Sequence, residues 1–140
     1  MKGRHVLRTK TLPVMTAIAA AALVGIAASP ASAGTGQLFA VQINNFQDWG
    51  NFEQDPYQDI PGDSIRACDF TADGWGVTAY LDSNHNGVFD RTATTSGHAS
   101  DYCSGWASGN IAEGATVTLK VCNTKSGYAP KNCKQEDFTA

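Results

Sequence analysis

The sequence has 140 residues, with 10 lysines and arginines, 13 aspartates and glutamates and three histidines, giving a net charge of −3 at pH 7. Four of the ten basic residues, Lys2, Arg4, Arg8 and Lys10, lie in the first 33 positions, so residues 34–140 carry six basic side chains against thirteen acids, a net charge of −7. A surface this acidic repels nucleic acid and anionic membrane, which need Lys or Arg to neutralise phosphate, and it favours solubility or a basic partner.

Residues 1–33 read as a signal peptide. The basic start is followed by a short apolar run over residues 14–28, and Ala31-Ser32-Ala33 supplies the small residues that signal peptidase requires, so cleavage is predicted after Ala33. The apolar run is shorter than the ~20 residues of a membrane-spanning helix, and no second one follows. An adjacent Arg pair and a cleavage-site Cys are both missing, which points to the Sec route without a lipid anchor. The expectation is a secreted, extracellular chain in which residues 34–140 form one β domain.

A domain of that size is near the point where crosslinks help it fold. Cys68, Cys103, Cys122 and Cys133 all lie in the exported part, and an even number in an oxidising compartment predicts two disulfides. Three pairings exist. Turn signals in CNTKSGYAPKNC favour Cys122 with Cys133, which leaves Cys68 with Cys103. No Cys-x-x-Cys or close Cys/His spacing supports zinc, and no cofactor is expected.

Along the chain the apolar period is two. QLFAVQI places Phe39, Val41 and Ile43 on one face, GWGVTAYLD does so with Trp75, Val77, Ala79 and Leu81, and ATVTLKVC with Val117, Leu119 and Val121. Weaker strands are predicted over residues 64–70, 88–95 and 132–138, separated by Gly, Asn, Asp and Pro clusters. About six short strands with no helical stripe predict an all-β sandwich or small open barrel stapled by disulfides.

Residues 44–63 interrupt this pattern with Phe46, Trp49, Phe52 and Tyr57 among acids and amides. A structureless stretch of that length is uncommon inside a compact domain. It is expected either to cover one end of the sheet or to form an aromatic arm that docks on another protein. A second loop, residues 96–114, is pinned by Cys103, with Trp106 as core cover.

The segment LDSNHNGVFD, residues 81–90, has two readings. Counted as a calcium loop it offers Asp82, Asn84, Asn86, the Val88 carbonyl and Asp90, but position 12 is Ala93 where a bidentate Glu is needed, so any site is weak. As a hairpin, Asn86-Gly87 suits a type I′ turn that pairs His85 with Val88, Asp82 with Arg91 and Tyr80 with Ala93. The hairpin is the preferred reading, with a wider loop that sets Leu81 opposite Val88 as its alternative. Either way His85 and Phe89 sit near an exposed tip.

Catalytic signals are sparse. Ser96, His98, Ser100 and Asp101 are too close along the chain to converge as a triad, no Gly-x-Ser-x-Gly elbow occurs, and the carboxylates have no distinguishing spacing. A non-enzymatic role is expected.

The run WGVTAYL (Trp75 to Leu81), TTSGH from Thr94, Cys103, Gly109-Asn110, Glu113-Gly114 and VTLKVC ending at Cys122 resemble small exported disulfide-bonded β-proteins of filamentous actinomycetes. Among them is the adaptor subunit of umbrella toxin particles. The resemblance covers roughly residues 74–133 and implies an adaptor that joins lectin-bearing subunits to a long repeat-bearing toxin scaffold. The expected function is a secreted protein-binding module with Phe46, Trp49, Phe52, Tyr57, His85 and Phe89 at the contact. A protease inhibitor and a small hydrolase or carbohydrate-binding domain are the alternatives.

Overall fold

The computed structural model describes residues 36–140; the expected leader and its cleavage site lie outside them. The described chain forms eight strands, β1 (Leu38–Ile43), β2 (Asp48–Glu53), β3 (Ser64–Asp69), β4 (Gly76–Asp82), β5 (Arg91–Thr94), β6 (Tyr102–Cys103), β7 (Thr116–Thr124) and β8 (Lys131–Thr139). They make two antiparallel four-stranded sheets, ordered β1-β2-β3-β6 and β5-β4-β7-β8. The fold is an all-β sandwich, with eight strands where six were expected.

The alternating residues read from the sequence form the layer between the sheets. Val41, Ile43, Phe52, Ile65 and Ala67 from the first sheet and Val77, Ala79, Leu81, Ala93, Val117, Leu119 and Val121 from the second are all buried, with Ile111 and Ala140 in the same cluster. At the centre the sheets approach so closely that a Cβ on Gly50 would lie 2.5 Å from Val121 Cγ2, so only glycine fits there. Along one side Phe39, Phe52 and Phe138 close the sandwich. The Phe39 and Phe138 rings lie 4.6 Å apart and join the two edge strands β1 and β8 across the layer.

Residues 44–63 are not an irregular arm. A tight turn at Asn44–Phe46, with all three residues in the left-handed region, leads straight into β2, which pairs with both β1 and β3. Phe52 was expected on a partner-binding surface but points inward and is fully buried, because its parity along β2 matches Gly50 and not Trp49. Only residues 54–63 remain as a loop. It is tied down by hydrogen bonds from the Arg91 guanidinium to the Asp63 carbonyl and from the Ile111 amide to the Asp63 carboxylate at 2.8 Å.

The expected type I′ hairpin is also replaced. β4 and β5 pair Leu81 with Arg91, Tyr80 with Thr92 and Ala79 with Ala93, one residue out of the predicted register, and Leu81 does not face Val88 either, so the connection between Asp82 and Arg91 is longer than both readings had it. Positive φ falls on His85 and Gly87 and not on the Asn86-Gly87 pair that type I′ requires. The cause is Asp82. Its carboxylate accepts the amides of Asn86 at 3.0 Å and Gly87 at 2.6 Å, with Asn84 more distant at 3.4 Å, and so winds the loop around itself.

Both expected disulfides are present, Cys68–Cys103 and Cys122–Cys133. Each ties an outermost strand to its neighbour, β6 to β3 and β8 to β7. The two loops close over sequence separations of 35 and 11 residues. On the chain-entropy model, losing the longer crosslink costs about 4 kcal/mol and the shorter about 3 kcal/mol. Thermal melts of Cys68→Ser/Cys103→Ser and Cys122→Ser/Cys133→Ser should therefore both fall, the first further; equal melting temperatures for the double variants and the parent would contradict this role.

Candidate functional site

The aromatic residues read from the sequence fall in four separate places. Trp49 lies on the outer face of the first sheet. Phe46 projects from the β1–β2 turn, 71% exposed, with Lys134 Nζ 6.0 Å from its ring. Tyr57, half exposed, sits on the turn closed by its bridge to Ile60. His85 and Phe89 belong to the outer face of the second sheet. Phe52 is not available to any partner.

The first-sheet face has the most ordered arrangement. β2 and β3 place Asn51 directly opposite Arg66 and Trp49 opposite Cys68. The nearly buried Asn51 side chain accepts from Trp49 Nε1 at 3.1 Å and from Arg66 Nε at 3.0 Å through one oxygen. Arg66 in turn lies 4.6 Å from the Trp106 ring centroid, and Trp49 stacks on Phe70 at 4.8 Å. Phe70, Trp49, Arg66 and Trp106 thus form one connected line of wholly or partly exposed side chains, joined through the buried Asn51, whose rotamers are fixed by one another. Sequence reading missed Arg66, Phe70 and Trp106 as members, although the alternation of Arg66 with Ile65 and Ala67 places its side chain outward.

On the second sheet, Phe89 packs against Tyr80 at 5.9 Å and lies 5.5 Å from Lys120 Nζ. His85 Nδ1 is 2.8 Å from the Thr118 hydroxyl and 3.8 Å from an Asp137 carboxylate oxygen. Three of the loop's candidate calcium side chains are committed to the loop itself: Asp82 takes the amides described above, Asn86 Oδ1 accepts from the Val88 amide, and Asp90 accepts from the Ser83 amide and hydroxyl. Among the described residues no group of three or more His, Cys, Asp or Glu side chains is placed to hold a metal ion. Desolvation opposes ionisation of Asp82, but the amides of Asn86, Gly87 and Asn84 and the neighbouring His85 outweigh it and hold the carboxyl below its ordinary range.

An open cleft of about 650 Å³ lies where the loops after β3 and β5 meet the start of β4. Its floor is a hydroxyl ladder in which Thr78 Oγ1 contacts Thr94 Oγ1 at 2.9 Å and Thr124 Oγ1 at 2.6 Å, and Trp75 and Asp69 line its walls. Trp75 was expected on the core face of its strand. It precedes β4 instead, half-buried, with Lys131 Nζ 3.8 Å from its ring. His98 stacks on Tyr102 at 3.8 Å and makes no side-chain hydrogen bond to Ser96, Ser100 or Asp101 among the described residues.

Asp69 is 2% exposed, and burial, followed by the charges of Asp48, Asp73 and Asp101, raises its pKa against the lowering effect of the Thr71 amide. Comparison with protein-family models, with curated proteins and with solved structures finds no match to this chain.

Two opposite pH dependences follow. A carboxyl whose folded pKa is depressed contributes stability above its unfolded pKa and loses it as pH falls through the folded value, which is the case for Asp82; one whose folded pKa is raised destabilises above that value, which is the case for Asp69. Asp82→Ala should lower the melting temperature at pH 7 and speed amide exchange at Asn86 and Gly87. Asp69→Asn should raise the melting temperature at pH 7, with the gain shrinking as pH falls through the raised pKa; a gain independent of pH would contradict the assignment.

Proposed function

We propose that the protein is a secreted, non-enzymatic protein-binding module, released by cleavage after Ala33, that joins partners in an extracellular complex of the toxin-particle kind. The observation that carries this reading is the line of Trp49, Asn51, Arg66 and Trp106 on the outer face of the first sheet. Trp and Arg are the side chains in which binding energy concentrates, and rigid ones lose little entropy on association. The shared Asn51 oxygen and the stacking contacts supply that rigidity. The six basic and thirteen acidic side chains of residues 34–140 favour a basic partner, whose approach the net charge accelerates at low salt.

An adaptor makes a defined complex. Size-exclusion chromatography with light scattering of the partner captured from culture supernatant should give a fixed stoichiometry. Trp49→Ala and Trp106→Ala should each weaken binding by about 2 kcal/mol, roughly thirty-fold in Kd, while Phe46→Ala changes it little. Full affinity in both tryptophan variants would remove this face from the function.

The cleft beside Trp75 and Asp69 favours a second reading, a carbohydrate-binding domain, since a hydroxyl ladder under an aromatic wall suits a polyhydroxyl ligand. Saturable changes in tryptophan fluorescence with soluble oligosaccharides, abolished by Tyr80→Ala, would select it over the first.

A further inference from the structure

Trp75 lines the open cleft beside β4, and its indole is crowded by cations. Lys131 Nζ lies 3.8 Å from the ring centroid and Lys125 Nζ 5.9 Å from it, while the Tyr128 ring packs at a tilt 5.6 Å away. The ring quadrupole favours this placement, so the aromatic wall of the cleft is presented together with positive charge.

That charge is not neutralised. The only salt bridge among the described residues joins His85 to Asp137, which leaves both ammonium groups without a carboxylate partner there. Lys125 is the one that reaches the cleft. It lines the wall with Gly74 and Trp75, and a Cβ on Gly74 would lie 3.8 Å from its Nζ. The acids nearby are engaged elsewhere. Asp48 spends both carboxylate oxygens on the Asn44 side chain, the Phe70 amide and the Thr71 hydroxyl, and Asp73 accepts from the Trp75 amide at 2.9 Å. Only Asp69 among the acids lines the cleft; it is 2% exposed, and burial opposes its ionisation.

The floor adds a directed row of hydroxyls. Each hydroxyl has a single proton to give. Thr94 donates to Ser96 Oγ at 3.0 Å, so Thr78, 2.9 Å from Thr94, is the donor of that pair and accepts in turn from Thr124 at 2.6 Å. The row therefore ends in a free donor at Ser96 and a free acceptor at Thr124. Both ends line the cleft, and Thr124 is the neighbour of Lys125 in the chain.

We propose that the cleft binds a carboxylated sugar of the uronic acid kind, with its carboxylate on the Lys125 ammonium and its hydroxyls on the row from Thr124 to Ser96. The inference rests on the reading of the cleft as a carbohydrate site and adds the charge of the ligand. An ionised group beside several hydroxyls on the ligand matches an unpaired ammonium beside several hydroxyls on the protein.

The test is calorimetric titration of the protein at pH 7 with trimers of galacturonic and glucuronic acid, with their methyl esters, and with neutral trimers. Short probes limit the repulsion from the net charge of −7 over residues 34–140. The ester keeps the rings and hydroxyls and removes only the charge. One of the acids should bind about ten-fold more tightly than its ester, the scale of one hydrogen bond to a charged group. Lys125→Met, at an exposed position, should bring the acid down to the affinity of the ester and leave the ester unchanged. Thr124→Val should weaken both alike. An ester or a neutral trimer that binds as tightly as the acid overturns the proposal and leaves the carbohydrate reading standing. Equal losses of acid and ester in Lys125→Met overturn the assignment of the carboxylate to this ammonium. Absence of binding by every trimer overturns the carbohydrate reading together with the proposal.

Discussion

The structure depends on holding down edge strands that bury too little to hold themselves. The apolar layer is supplied mainly by β1 to β4 and β7, whereas β6 is two residues long and β8 exposes eight of its nine residues. Backbone pairing alone gives such strands little protection from fraying. The two disulfides fall at these strands, each bridging a peripheral strand to a buried one. Phe138, packed at a tilt against Phe39 from the opposite sheet, is the partly buried anchor that β8 adds. Crosslinks and the aromatic trio together let a thin core carry two full sheets.

With the edges fixed, the outer faces are free to carry polar and aromatic groups. The first sheet uses its face for the Trp49–Asn51–Arg66–Trp106 line, and the second for the Thr78 hydroxyl ladder and the Tyr80–Phe89 pair. The acids are distributed unevenly among these surfaces. Asp48, Asp69, Asp73 and Asp101 gather near the cleft, where their mutual repulsion adds to the burial of Asp69. Lys125 and Lys131 lie over Trp75 at the same cleft, while Lys120 lies over Phe89 and Lys134 over Phe46.

How much of this was legible in the sequence depended on the strength of the period-two signal. β1, β4 and β7 place Val41 and Ile43, Val77, Ala79 and Leu81, and Val117, Leu119 and Val121 at alternate positions, so these core residues could be read, although Trp75 before β4 was wrongly added to them; the turn signals between Cys122 and Cys133 favoured the pairing found among the three possible. β2 could not, because Asp48-Trp49-Gly50-Asn51-Phe52-Glu53 puts an acid and a glycine on its inward face and a tryptophan outside. Asp48 tolerates that position by accepting from the Phe70 amide at 2.8 Å and the Thr71 hydroxyl at 3.0 Å, partners 22 and 23 residues away. The turn after β4 was misread for a related reason, since local Asn-Gly chemistry was outweighed by a carboxylate binding amides up to five residues on. The line of side chains around Asn51 needed the β2–β3 register, which no local pattern encodes.

The clamped-edge account is tested most directly by native-state hydrogen exchange on the Cys122→Ala/Cys133→Ala variant. It predicts that amides of residues 131–139 lose protection while the centres of β4 and β7 keep most of theirs. Protection of β8 equal to that of the parent protein would contradict it.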